Sequence, residues 1–106
     1  MKKVKITVLK KEFYEDIADA FLTEGRAVGS CSLLEEGDIF IFEGRAEMPK
    51  GFCPWAWMDI YSGVSAIAAG ATYTPWNNKD GLTILCCTDG VRPVIFSVEG
   101  IDDSAQ

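Results

Sequence analysis

Histidine is absent from this 106-residue chain. That removes the side chain that most often serves as general base and as metal ligand. A Ser-His-Asp or Cys-His nucleophile arrangement is excluded, and so is a zinc site with histidine ligands. Neither G-x-G-x-x-G nor the P-loop pattern occurs, so no glycine-rich phosphate cradle is expected. The four cysteines include no C-x-x-C pair. No cofactor is expected and no metal ligands are assigned. Long apolar runs are missing too; none approaches the ~18 residues that span a bilayer. The apolar stretch Val4–Leu9 is too short for a secretory signal and contains Lys5. The chain is therefore expected in the cytoplasm with no membrane partner, and its cysteines as thiols rather than structural disulfides.

Basic charge is scarce: ten Lys and Arg against sixteen Asp and Glu leave a net charge of −6. Such a domain repels nucleic-acid phosphates unless it carries a local basic stripe. The one lysine cluster (Lys2, Lys3, Lys5, Lys10, Lys11) is interleaved with strand residues and soon followed by Glu12, Glu15 and Asp16. It reads as a solvated strand face, and no nucleic-acid partner is expected.

What is present is the patterning of one domain. Residues 3–9 alternate, with Val4, Ile6 and Val8 opposite Lys3, Lys5 and Thr7, as a half-buried strand does. Apolar residues at 14, 17, 18, 21 and 22 predict a helix stopped near Gly25. Residues 25–37 read as loop and Ile39–Phe42 as a short strand. A second helix is predicted from Pro54 to about Ala69, with Trp57, Ile60, Val64 and Ile67 as its core stripe. Gly63, Ala66 and Gly70 form a stripe of small residues suited to tight packing on a sheet. Leu82–Cys87 and Pro93–Val98 read as strands joined by a turn carrying the Asp89-Gly90 hairpin signal. The order β-α-β-α-β-β predicts an α+β domain over 1–99: a four-stranded, mainly antiparallel sheet with two helices on one face, followed by an acidic tail at 100–106. Leu82, Ile84 and Cys86 point opposite to Leu85 and Cys87, and Ile95 opposite to Val94, Phe96 and Val98. Both sheet faces then read as apolar, and a homo-oligomer that buries the second face is expected. A strongly coiled sheet that covers itself is the alternative.

The segment Gly51-Phe52-Cys53-Pro54-Trp55-Ala56-Trp57 locates a candidate site. Pro suits the first position of a helix, which puts Cys53 at or near the N-cap, where backbone N–H groups and a positive dipole can activate a thiol. The competing reading is a small buried hydrophobe beneath the tryptophans. Asp59, six residues on, could act as a base beside Cys53 or simply complement the helix dipole. Cys53 and Asp59 are the candidate catalytic residues. Asp89 and Arg92 bracket the hairpin turn, as turn residues with a surface ion pair, or with Arg92 holding a small anion. Trp57 and Cys87 complete the candidate ligand-binding set with Asp89 and Arg92, for a small anionic or aromatic ligand. Cys31, Cys53 and Cys87 all lie at ends of elements, so a thiolate metal site built from the three is conceivable, though without the spacing of structural zinc.

These two stretches, GFCPWAW with Asp59-Ile60-Tyr61 and Cys87-Thr88-Asp89-Gly90-Val91-Arg92-Pro93-Val94, resemble a family of short prokaryotic proteins of uncharacterised function. Val4–Leu9 and the Cys31 to Asp38 segment fit it as well. The resemblance spans nearly the whole chain and implies one small domain; it brings no reaction, cofactor or residue role. Three functions stay open: a small-ligand-binding protein or thiol-dependent enzyme with its site at Cys53, a structural or interaction protein without catalysis, and a thiolate metal-binding protein.

Overall fold

The computed structural model describes residues 2–101. Two long strands, β1 (Lys3–Lys11) and β4 (Val94–Ile101), form the centre of a four-stranded sheet. The short β2 (Ile39–Phe42) and β3 (Leu82–Cys86) lie at its edges, giving the order β2-β1-β4-β3 with every neighbouring pair antiparallel. Two α-helices, α1 (Glu15–Phe21) and α2 (Pro54–Ala68), complete the α+β fold that the order of elements predicts. A 3-10 turn at Gly25–Val28 falls in the stretch read as loop. β4 runs through Ile101, two residues into the expected tail, because Gly100 pairs with Val4 and its N–H donates to the Gly81 carbonyl. The rest of that tail, 102–106, lies outside the described residues.

The two helices differ in what they cover. α2 packs on β1, β3 and β4, whereas α1 packs chiefly on the 3-10 turn. On α2, Ala56, Ile60, Val64, Ile67 and Ala68 are buried at helical spacing against Val4, Ile6, Val8, Val94, Phe96 and Val98 of the sheet. Gly63 permits the close approach to β3: a Cβ there would lie 2.5 Å from Leu85 Cδ1. Gly70, read as part of the same small stripe, has another role. It ends the helix at φ +100°, with its N–H on the Ile67 carbonyl and the Ala71 N–H on the Ala66 carbonyl, a Schellman stop.

Register sets each residue's face. Phe40 and Phe42 join Val4, Ile6 and Val8 on the covered side. The opposite side is mixed rather than uniformly apolar. Across it, Leu82, Glu99, Lys5 and Ile41 form one row, and Ile84, Ser97, Thr7 and Ile39 the next. In these two middle rows the edge strands supply apolar residues and the two central strands polar ones. Nearer the ends of the face β4 adds Ile95, paired with Lys10 and Cys86, and Ile101, paired with Lys3. Alternation within a strand separates its two faces, but which residues meet across strands depends on pairing.

A β-bulge between Val8 and Lys10 shifts the register of β1 against β4. Beyond it Lys11 faces Val94, on the covered side, and does not belong with the solvated lysines of the strand. Its Nζ reaches the Cys31 carbonyl at 2.8 Å and Glu35 at 3.5 Å.

Candidate functional site

Cys53 is the N-cap of α2, in an extended conformation, and Pro54 takes the first turn, as the sequence requires. Gly51, at φ +83°, turns the preceding loop so that Phe52 enters the core, 3% exposed, while Cys53 stays half-buried beside it. The first turn of α2 then lies over the end of the sheet where the β3–β4 hairpin turns.

A pocket of about 130 Å³ opens there. Cys31, Cys53 and Cys87 all line it, with Ala56 and Leu34 as apolar walls and Trp55, Asp89 and Arg92 near the hairpin. Each thiol arrives from a different element. Cys53 comes from the helix cap. Cys87 follows β3 and is 8% exposed; the Val94 N–H donates to its Sγ at 3.4 Å, and its own N–H donates to the Val94 carbonyl at 3.1 Å. Cys31 comes from the loop that Lys11 holds by its carbonyl. Among the described residues no group of three or more Cys, Asp or Glu is arranged to hold a metal ion. Cys86 points to the other sheet face and is exposed.

Asp89 builds the turn. Its Oδ1 accepts from the N–H groups of Val91 (2.9 Å) and Arg92 (3.1 Å), and its Oδ2 from Arg92 Nε at 3.3 Å. Burial acts to raise this carboxyl, but the three hydrogen bonds and the guanidinium charge outweigh it and hold its pKa below the ordinary aspartate value. Arg92 is thereby oriented through Nε. Among the described residues its two terminal nitrogens have no protein acceptor, and the residue lines the pocket. The backbone N–H groups of Trp55 and Ala56 likewise find no acceptor among the described residues, as expected for the first turn of a helix.

Asp59 is bonded to the hairpin rather than to a thiol. Its Oδ2 accepts from the Thr88 N–H at 2.8 Å and from Thr88 Oγ1 at 3.0 Å, which fastens α2 to the hairpin. Thr88 Oγ1 in turn accepts from Trp55 Nε1 at 3.0 Å. This relay pins Trp55, 63% exposed, at the pocket's edge. Trp57, expected at the pocket, is not there. It packs in an aromatic cluster with Phe42, Phe52 and Tyr61, at ring separations of 5.7, 6.0 and 5.2 Å. Two residues along a helix are about 200° apart, so only one of Trp55 and Trp57 can face the site.

Cys53, Cys87, Asp89 and Arg92 thus line one pocket. Asp59 and Trp57 do not line it, Asp59 being bonded to Thr88 beside Asp89 and Trp57 packed in the aromatic cluster. Sequence reasoning missed Trp55 as a wall and Lys11 as the support of Cys31. The alternation of β1 hides Lys11, because nothing in that stretch announces the bulge. A larger hollow, about 530 Å³, lies along the loop after β2. Its rim mixes Glu43 and Glu47 with Arg45 and Lys50, so it favours neither sign of ligand. Compared with known proteins, the chain matches no family model, no curated protein and no solved structure. Among the described residues no helix is long and apolar enough to cross a membrane.

Proposed function

We propose that the chain is a cytoplasmic binding protein for a compact apolar molecule carrying one negative charge, a small carboxylic acid being the simplest member of that class. The single observation that carries this reading is the pairing of an apolar, thiol-lined pocket with the open end of the Arg92 guanidinium. At about 130 Å³ the pocket is close in size to cavities that admit benzene, ~150 Å³. The acceptorless N–H groups of Trp55 and Ala56, at the positive end of α2, favour the same charge sign. A reducing compartment keeps the three thiols available as polarizable walls.

Catalysis is the weaker reading because it needs a proton acceptor. Asp59 is engaged by Thr88, and Asp89 is engaged by its own turn and held more acidic than an ordinary aspartate. Neither is poised to deprotonate Cys53. The reading also keeps the chain as a homo-oligomer, joined through the sheet face that α2 leaves open. The pocket lies on the covered side, so assembly and ligand binding are separable.

The test is an NMR titration with benzoate and its neutral isostere benzamide. Benzoate is expected to shift the Trp55 indole N–H and the amides of residues 53–56 and 87–94. Arg92→Gln is expected to weaken benzoate binding roughly tenfold or more while leaving benzamide unchanged. Equal binding of benzoate to wild type and Arg92→Gln would sink the proposal. So would shifts confined to surfaces remote from the pocket.

A further inference from the structure

Across the open sheet face, the middle two rows read the same in either direction, except that charge changes sign. One is apolar, acidic, basic, apolar: Leu82, Glu99, Lys5, Ile41. The next is apolar, hydroxyl, hydroxyl, apolar: Ile84, Ser97, Thr7, Ile39. We infer that this face is the interface of a symmetric homodimer whose two-fold axis runs parallel to the strands, so that Lys5 of each copy meets the partner's Glu99.

The geometry follows from the symmetry operation. A two-fold lying in the interface and parallel to the strands reverses each row but keeps its height along the strand. Lys5 then lies over the partner's Glu99, Thr7 over the partner's Ser97, Ile41 over the partner's Leu82 and Ile39 over the partner's Ile84. The Lys5 to Glu99 ion pair occurs twice, as an isologous contact requires. An axis across the strands would instead set β1 over β1 and β4 over β4, so that Lys5 never meets the partner's Glu99. Face-to-face sheets cross at about 30°, so mid-strand rows superpose best, and these two rows are mid-strand.

The charges within one chain fit this arrangement. Lys5 sits cross-strand from Glu99, yet Glu99 turns to Lys79 at the sheet's rim. Lys5, half-buried in the middle of the face, has no ion-pair partner among the described residues. A second copy brings it one. The edge residues Ile39 and Ile84, 56% and 45% exposed, are covered by the same contact. The inference rests on the homo-oligomer part of the proposed function and adds its face, symmetry and pairing.

Sedimentation velocity over a micromolar to submillimolar range tests it, using wild type, Lys5→Glu, Glu99→Lys and the double variant. Wild type is expected to dimerise. Each single variant places like charges together twice and is expected to weaken its own dimer roughly tenfold or more. An equimolar mixture of the two single variants is expected to regain the dimer as a heterodimer. In that heterodimer the two substituted positions face each other with opposite charge, and the unsubstituted Glu99 of one chain meets the unsubstituted Lys5 of the other. The double variant regains a homodimer, and its thermal melt controls for folding. A wild type that stays monomeric throughout overturns both the oligomer and this inference. A wild-type dimer that both single variants retain overturns the face and axis only. Benzoate binding on the other side reports separately on the pocket.

Discussion

The two helices carry similar apolar stripes in sequence and have different fates. α2 buries five residues against the sheet, while α1 buries only Ala18 and leaves Phe21 82% exposed. α1 is held at its polar side instead. Arg26 of the 3-10 turn donates to Asp19 at 2.7 Å and to Glu15 at 3.4 Å. The Asp19 carboxyl lies below its ordinary pKa, first through the side-chain hydrogen bonds from Arg26. An amphipathic stripe specifies a face; a core also needs an opposing surface, and α2 has taken it. The difference also places the site, because the long anchored helix presents a fixed first turn to the hairpin.

Swapping equivalent substitutions between the helices sharpens this contrast. Ile60→Ala, 1% exposed in the wild type, is expected to cost about 2–5 kcal/mol of unfolding free energy in urea denaturation. Ile17→Ala, at 37% exposure, is expected to cost well under half of that. Equal costs would show that α1 is packed as α2 is.

A smaller effect probes the link between α2 and the site. Asp59→Ala removes both Thr88 hydrogen bonds and frees the hydroxyl that holds Trp55. A loss of about 1 kcal/mol is expected, with Trp55 fluorescence moving towards that of a solvated indole. An unchanged Trp55 signal would mean that the relay does not hold the ring.

The smallest effect is on pH. The Asp89 pKa is lower in the folded chain than the ordinary value of 3.8, so its contribution to stability is complete above that value. It is lost as pH falls below 3.8 through the folded pKa. The acid limb of thermal stability is expected to be shallower in Asp89→Asn than in wild type. Parallel limbs would contradict the turn's hydrogen bonding.

Much of the fold was legible because it rests on local periodicity. The alternation of Val4, Ile6 and Val8 and the stripe at Ile60, Val64 and Ile67 each announce an element. Asp89-Gly90 marks the hairpin, though the connection is longer than a two-residue turn, Gly90 is not at positive φ, and Asp89 closes it through Val91 and Arg92. Cys53 at the N-cap was legible from Pro54. What depends on pairing was not. The bulge that turns Lys11 inward and the polar middle of the open face arise from strand neighbours, which no single strand encodes. Of the two tryptophans at the start of α2, Trp57 belongs to the core stripe already read for that helix. The residue on the other side of that stripe, Trp55, was the one available to the pocket.

The most direct test of the pocket compares two alkylating reagents on the native protein by mass spectrometry. Iodoacetate and iodoacetamide have nearly the same size, but only the first carries a carboxylate. Exposed Cys86, on the opposite sheet face, serves as the internal reference. If Arg92 draws small acids to the thiols, the iodoacetate-to-iodoacetamide rate ratio at Cys53 and Cys31 exceeds that at Cys86, and Arg92→Gln abolishes the excess. The same ratio at all three cysteines in the wild type would contradict an anion-binding pocket at this end of the sheet.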